Sequence, residues 1–320
     1  MDIRQLRYFV AIAEQGSFSR AAALLHVAQP ALSLHVRNME ADLGTKLLFR
    51  SPKGVIPTEA GAVLLCHART IIGQLAVAEE EVRGQQADPS GEVRLGLPGT
   101  IGEVLSVPLI RAAHLRYPKI RLRIAEAMSG FVLDWMREAR IDLAVVYREV
   151  NETGIDSVRL LDEELVFFAP AEAPEGVRLP PPGQPVALRD LAQVPMILPG
   201  AAHGLRELLT RYAISAGISL TTVIEVDSYH SIKELVLSGF GCSILPGNAV
   251  HREIAEGRLQ GWQIRAPEIL RSVWLAHATS RPMSHSVAAI QSLACEVLQN
   301  LARSGSWAGA RPLPLPVSEP

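Results

Sequence analysis

The first 45 residues carry a helical pattern of apolar positions that is interrupted at short intervals. Within residues 3–15 the apolar side chains recur at helical spacing: Leu6, Phe9, Val10 and Ala13. Gly16 ends this predicted helix, and Ser17 is a suitable N-cap for a second one. A third helix begins at Gln29-Pro30, because proline is tolerated in a first turn, and Gly44 ends it. The pattern predicts three short helices joined by tight turns.

The third predicted helix has two stripes of different character. The apolar stripe, which is expected to pack into a core, consists of Leu32, Val36, Met39 and Leu43. A separate polar stripe comprises Gln29, Ser33 and Arg37, four residues apart, and has no role in a core. The segment 47–58 then predicts a β-hairpin whose Ser-Pro-Lys-Gly turn carries Lys53 outward.

A long helix is predicted from a cap at Thr58 to about Gly84. Its apolar residues follow a heptad spacing for almost three repeats: Leu64, Ala68, Ile71, Leu75, Ala78 and Val82. The simpler interpretation is a helix that lies on its own domain. Because the module before it is small, we favour a helix that pairs with a second copy.

The pattern changes after a linker at residues 85–92, where short apolar segments begin to alternate with helical ones. Strands are predicted at 93–97, 120–125, 142–147, 165–169, 196–198, 223–226, 242–245 and 272–276. This alternation is typical of α/β sheets. The tail 304–320, rich in proline, glycine and serine, is expected to be disordered.

Composition and charge narrow the class of protein. The chain has a net charge of −2, but residues 1–58 carry seven Lys or Arg against four acids, so this part has an excess of positive charge. A basic module on an acidic body indicates an anionic partner for the module. The sequence has no signal-peptide pattern and no uninterrupted apolar run that could cross a membrane, so a cytoplasmic protein is expected. Three scattered cysteines indicate free thiols, without metal or cofactor.

A basic helix-turn-helix followed by a hairpin wing is suited to double-stranded DNA. The third predicted helix is the second helix of this motif. Residues near its start can reach base edges, and cations on the wing can reach phosphates. The predicted DNA-binding residues are Gln29, Pro30, Ser33, Leu34, Arg37, Arg50 and Lys53.

The segment "LRYFVAIAEQGSFSRAAALLHVAQPALSLHVRNMEADLGTKLLFRSPKGVIPTEAG" resembles the N-terminal signature of LysR-type transcriptional regulators. Fragments such as "SGEVRLGLPGTIG" and "VPLIRAAHLRYP" are most similar to the nitrogen assimilation control subgroup. Two positions depart from the usual family pattern. Leu34-His35 replaces residues that are often polar or basic, so no base preference is transferred, and Pro57 replaces a common leucine.

The resemblance implies a winged helix-turn-helix at 1–58, a linker and dimerisation helix at 59–88, and an effector-binding region at 91–303. That region would consist of two Rossmann-like α/β subdomains, as in periplasmic binding proteins, with a ligand cleft between them. The resemblance further implies a homodimer that assembles into a homotetramer on an interrupted dyad, with RNA polymerase as a further partner.

Several predicted helices of the body begin directly after a strand, where free N–H groups favour an anion. Ligands in α/β sheets gather at such strand ends. The effector candidates are Thr100, Ser129 and His203, with Ile101 and Tyr147 as walls. For any single serine or threonine, a helix cap is the simpler interpretation. A small, anionic effector is expected.

Two other functions are considered. An enzyme is disfavoured because Gly96, Gly99 and Gly102 have the wrong spacing for a dinucleotide fingerprint, and no hydrolase elbow, zinc-protease or Walker motif occurs. A regulator without a small-molecule effector, active constitutively or through protein partners, remains open, because nitrogen assimilation control proteins are not generally associated with a small coinducer.

Overall fold

The computed structural model describes residues 1–52, 54–83, 89–174, 177–279 and 282–313. The N-terminal part is a winged helix-turn-helix, with helices α1 (Ile3–Gln15), α2 (Phe18–Leu25) and α3 (Gln29–Leu43) and strands β1 (Leu48–Ser51) and β2 (Gly54–Pro57). The two strands form an antiparallel hairpin. The apolar stripes of the three helices meet in one core with the base of the hairpin.

Local chemistry sets the ends of these helices. Asp2 and Gln5 form a capping box at the start of α1, and Gly16 ends that helix with a φ of 59°. Ser17 caps α2, as its position predicts. The hairpin then packs closely on the α1–α2 turn, since the amide of Val55 donates to the carbonyl of Gly16 over 2.9 Å. A Cβ on Gly54 would lie 2.8 Å from that carbonyl oxygen, so this contact requires glycine.

Helix α4 (Glu59–Arg83) follows the winged domain and precedes the body of the chain. Thr58 caps this helix by accepting from the Gly61 amide over 3.0 Å. Its segment Glu59–Glu79 is long and apolar enough, by length and composition, to cross a membrane. However, Ala68 is part of the core of the winged domain, and Arg69 is paired with Glu14. These contacts identify α4 as a helix that packs on the protein itself.

The body consists of two α/β subdomains. Subdomain I contains a sheet in the order β4-β3-β5-β12-β6, in which β3 is parallel to β4 and β5. Its elements are β3 (Gly91–Leu97), α5 (Gly99–Arg116), β4 (Ile120–Glu126), α6 (Ser129–Arg137), β5 (Leu143–Val146), the first part of β6 (Ile155–Pro170), β12 (Leu270–Ala278) and α10 (His285–Arg303).

Subdomain II lies between the two long strands in sequence. The second part of β6 pairs with β10 and β11, and β8 pairs with β9 in a parallel two-stranded sheet. Its other elements are β7 (Val186–Ala187), β8 (Met196–Leu198), α7 (Gly204–Ser215), β9 (Thr222–Glu225), α8 (Tyr229–Leu237), β10 (Ser243–Pro246), α9 (Gly247–Ala255) and β11 (Leu259–Arg265). Each subdomain has a separate apolar core.

The two subdomains are joined by β6 and β12, which pair antiparallel from Ile155 to Glu164 and from Leu270 to Ala278. The segment predicted at 165–169 is thus only the second part of a strand of 16 residues. The expected α/β architecture with two subdomains is confirmed. Strand β11 was missed because its segment has no regular apolar alternation.

The expectation of a disordered tail from residue 304 is wrong for residues 304–313. Trp307 is buried in the core of subdomain I, at 1% exposure, and β13 (Ala310–Pro312) pairs with β6. The composition of this tail did not indicate that Trp307 would pack into the core. The backbone next to Trp307 forms hydrogen bonds with β6. Residues 314–320 lie outside the described residues.

Candidate DNA-binding surface and inter-subdomain site

One face of α3 is turned away from the core of the winged domain. Gln29, Pro30, Leu34 and Arg37 are all exposed, while Ser33 is half-buried beside them. The exposed Leu34 provides an apolar side chain at the centre of this stripe. These five residues therefore form one continuous surface.

The wing contributes a cation that is held beside this surface. Arg50 donates from Nη1 to Ser33 Oγ over 3.1 Å, and its guanidinium carbon lies 4.3 Å from the centroid of the Phe18 ring. The Phe18 contact is a cation–π interaction that orients the guanidinium. The structure thus brings Arg50 and Ser33 together, a pairing that the sequence does not reveal. Lys53 lies outside the described residues.

A buried carboxylate fixes the wing relative to α3. Glu40, at 8% exposure, accepts from the Lys46 ammonium over 2.8 Å and from the Leu47 amide over 3.0 Å. Burial alone would raise the pKa of Glu40, but these hydrogen bonds outweigh burial and lower it. Sequence reasoning missed Glu40, although an acid that continues an apolar helical stripe is a signal for such a buried role.

The predicted dimerisation residues divide into two groups. Ala68 is fully buried in the core of the winged domain, so its assignment to a dimer seam is wrong. Leu64 is half-buried and packs against the same core. The reason is that the first turns of α4 cover α1. Farther along the helix, Ile71, Ala78 and Val82 are exposed, and Leu75 is half-buried.

Two effector candidates meet at the end of the central strands of subdomain I. Thr100, in the first turn of α5, lies with its hydroxyl 2.6 Å from the Tyr147 hydroxyl, just after β5. Ile101 is fully buried in the core of subdomain I, so the expectation that it forms a cleft wall is wrong. Ser129 is the first residue of α6, but its side chain lies outside the described part.

His203 approaches the same region from subdomain II. Its Nδ1 accepts from the Leu205 amide over 3.1 Å, so it caps α7, and its ring centroid is 5.6 Å from that of Tyr229. Burial lowers the pKa of His203, and the cation of Arg271 lowers it further. The lowered pKa favours the neutral imidazole, whose Nδ1 can accept the Leu205 amide.

At the centre of this region is a pair that sequence reasoning missed. Arg271 donates from Nε to Glu163 Oε1 over 2.6 Å, and both side chains are buried, at 4% and 0% exposure. The signal that could have identified Arg271 is a charge within an otherwise apolar strand segment, because such charges are buried only when they are paired. Glu163 is the middle residue of the acidic run Asp162–Glu164, and the sequence does not show which of these acids is buried.

The cysteines do not form a reactive pair among the described residues. Cys66, Cys242 and Cys295 are free thiols. Burial raises the pKa of Cys242 to about 12 and also raises that of Cys295, so neither is present as the nucleophilic thiolate near neutral pH.

Comparison with known proteins agrees with this architecture. Residues 3–62 match the model of the bacterial regulatory helix-turn-helix protein, lysR family, and residues 86–299 match that of the LysR substrate binding domain. The nitrogen assimilation regulatory protein nac of Klebsiella aerogenes is 33% identical over 266 residues, which are 83% of this chain and 84% of that protein.

Solved structures of full-length regulators share the fold. A full-length OxyR variant from Pseudomonas aeruginosa superposes with a TM-score of 0.79 at 26% identity, covering 100% of this chain and 99% of that one. CbnR in complex with its target DNA gives a TM-score of 0.54 at 24% identity, covering 93% and 99%. The winged helix-turn-helix, the α/β body and the two matching models lead to one conclusion: this chain belongs to the LysR family of DNA-binding transcriptional regulators, has an effector-binding domain, and is not an enzyme.

Proposed function

We propose that this regulator works as a dimer in the cytoplasm that binds an interrupted dyad in double-stranded DNA, one α3 helix in each major groove. The exposed stripe of α3, flanked by the fixed Arg50, carries this proposal. Gln29 and Leu34 would contact base edges, and Arg37 and Arg50 bases or phosphates. Since two-fold protein symmetry requires two-fold sites, the exposed part of α4 would pair with its copy.

The test is a gel-shift and footprint on the DNA upstream of the gene, with wild type, Gln29→Ala and Arg37→Ala across a salt series. Loss of a bidentate base contact costs about 1–3 kcal/mol of discrimination, and loss of a phosphate contact reduces the salt slope by about 1. Arg111→Ala is the matched control, because it removes an exposed cation on α5 in the body.

We expect a two-part, salt-sensitive footprint in wild type and in Arg111→Ala, weakened or blurred in the two α3 variants. Equal footprints for all four proteins would contradict the proposed contacts. If Arg111→Ala weakened the footprint as much as the two α3 variants do, the loss of positive charge alone would explain the effect, and the proposed contacts would be contradicted.

We further propose that the region between the subdomains is the regulatory site. Thr100, Tyr147 and His203 would contact a small anionic effector beside the first turns of α5 and α7. An effector can act only through unequal affinity for two arrangements of the subdomains. Isothermal titration with small carboxylates and amino acids tests this: saturable binding that Thr100→Val removes would support it, and no heat with any ligand would oppose it.

A second candidate is a regulator that needs no small molecule and acts constitutively or through protein partners such as RNA polymerase. One observation favours it: the buried cation of Arg271 already has a carboxylate partner within the chain. In either case we propose that two dimers assemble into a tetramer that bends its DNA.

A further inference from the structure

Glu163 and Arg271 lie where the chain passes from one subdomain to the other. They are directly opposite each other on β6 and β12, the two strands that join the subdomains. Besides the bond from Nε, the Arg271 Nη2 atom also contacts Glu163 Oε1 closely. A change in the angle between the subdomains therefore acts on the strands that hold this pair.

The other contacts of Arg271 come from both subdomains. On the subdomain I side, its guanidinium carbon lies 3.4 Å from the centroid of the Tyr147 ring. On the subdomain II side, Nη1 donates to the Tyr229 hydroxyl over 3.3 Å. One guanidinium thus contacts an aromatic residue from each side of the junction.

A second connection runs beside the first. Asn248, in the first turn of α9, donates from Nδ2 to the carbonyl of Thr100 over 3.3 Å. The side chain of Thr100 is in turn bonded to Tyr147, which lies against Arg271. We call the arrangement of the subdomains in which Asn248 is bonded to Thr100 the closed arrangement. Tyr147 connects this bond to the Arg271 cation, because Tyr147 contacts both Thr100 and Arg271.

A buried cation at this position requires an anion. Burial alone lowers the pKa of Arg271, but the attraction of Glu163 and of the two tyrosines outweighs burial and raises it, so the guanidinium stays charged. Burial raises the pKa of Glu163, and the adjacent guanidinium opposes that rise and favours the carboxylate. An unpaired charge here would be strongly destabilising. The N-terminal ends of α5 and α7 also favour negative charge nearby through their helix dipoles. In this protein the anion on Arg271 is a side chain of the same chain.

We propose that Glu163 is a built-in carboxylate that takes the place of an anionic effector on Arg271 and holds the effector-binding domain in the closed arrangement. The proposal rests on the regulatory role proposed above for the region between the subdomains. Under this proposal the anionic partner of the buried cation is supplied by the chain itself. The proposal also supports the second candidate function, a regulator that needs no small molecule, because the cation that would attract an anionic effector is already neutralised.

The test is chemical rescue. Glu163→Ala removes the carboxylate and leaves space beside the cation, so we expect its Tm to fall by roughly 10 °C and to recover when formate or acetate is added, against chloride at the same ionic strength. Glu163→Gln fills the space without a charge and should be destabilised without recovery. Wild type should not respond to either carboxylate.

The matched control is Glu253→Ala. Glu253 is similarly buried, at 8% exposure, and accepts from Lys233 over 2.9 Å, but this pair joins α8 to α9 within subdomain II. Its loss should lower the Tm without recovery in formate. If Glu163→Ala is recovered only as aggregate, refolding yield with and without formate replaces the Tm as the readout.

DNA bending provides the regulatory readout. On a bound site, Glu163→Ala should give a bend angle that differs from that of wild type, and formate should restore it. The double variant Glu163→Leu/Arg271→Met, which replaces the pair by apolar side chains, should fold and show the altered bend with no response to formate.

Three results would overturn the proposal: no recovery of Glu163→Ala with any small carboxylate, an equal recovery of Glu253→Ala, or a rise in the Tm of wild type in formate or acetate as large as that of Glu163→Ala. The third result would mean that Arg271 is open to external anions. The thermal measurements need no DNA. A wild type that binds no specific site would therefore refute the proposed DNA-binding mode and leave the rescue result standing.

Discussion

Arg69 on α4 binds Glu14 on α1 through two nitrogens, with Nε and Nη2 at 3.2 and 3.1 Å from the same carboxylate oxygen. Its third nitrogen, Nη1, donates to the carbonyl of Glu138, just after α6, over 3.1 Å. One turn earlier on α4, the Cys66 thiol lies 3.3 Å from the Arg137 carbonyl. The two exposed carbonyls at the end of α6 are thus satisfied by the linker helix. These contacts connect α6 of subdomain I through α4 to α1 of the DNA-binding domain.

We predict that Arg69→Met lowers the free energy of unfolding by about 1–3 kcal/mol, because it removes charge-assisted hydrogen bonds at a buried junction. Urea denaturation measures this loss. The control is Arg116→Met, whose partner Glu296 is as exposed as Arg116 itself, so about 0–1 kcal/mol is expected there. Equal losses in the two variants would contradict a structural role of the Arg69 junction.

The exposed part of α4 leads to a prediction about assembly. Ile71, at 42% exposure, lies on the proposed dimer face, and burying such a side chain stabilises an interface by about 1.5–3 kcal/mol. We expect Ile71→Asp to raise the dimer Kd by about ten- to a hundredfold. Sedimentation equilibrium measures this constant. Ile214→Asp, at a 71% exposed position on α7, should leave the dimer Kd unchanged. A larger rise in Kd for Ile214→Asp than for Ile71→Asp would place the interface on the body instead.

His203 predicts a loss of stability at acidic pH. Its pKa in the folded protein lies below the ordinary value of 6.5, because burial and Arg271 disfavour the imidazolium. The unfolded chain therefore takes up the proton first, and stability falls as the pH drops through 6.5, levelling off below the folded pKa. Protonation of Nδ1 would also remove the acceptor for the Leu205 amide.

Thermal melts between neutral and mildly acidic pH measure this effect. His203→Asn keeps an N-cap acceptor but does not titrate, so its Tm should depend less on pH than that of wild type. His251→Asn, at an exposed position on α9, should follow wild type. A His203→Asn curve parallel to that of wild type would show that other groups cause the dependence.

The C-terminal segment predicts a further loss of stability. Trp307 fills a site in the core of subdomain I, so Trp307→Ala should cost about 3–5 kcal/mol. A chain that ends at Ser306 should show at least this loss, whereas a chain that ends at Leu313 keeps Trp307 and β13 and serves as the control. Thermal unfolding compares the three proteins. If the first two melt like the control, the segment does not stabilise the body.

Much of the DNA-binding half could be predicted from the sequence because its information is local. The spacing of Leu32, Val36 and Met39 places those residues in the core, and this leaves the stripe with Gln29 and Arg37 outside. The prediction is wrong for Leu43, the last residue of the apolar stripe, which is 47% exposed. Gly16, Ser17 and Gly44 specify the turns through caps and left-handed backbone. Heptad spacing, however, could not show that Ala68 faces α1, since a helix that packs on its own domain has the same period.

Only the tertiary structure decided the site between the subdomains. Glu163 and Arg271 are 108 positions apart, and they meet because of the register of β6 and β12, which no local pattern specifies. Likewise, Trp307 is buried because it packs into the core of subdomain I, although the composition around it is typical of a disordered tail. The sequence by itself determined the helices, the turns and the exposed α3 face, whose causes lie within a few residues. Which distant charges meet, and which face of α4 stays free, depended on packing between elements far apart in the chain.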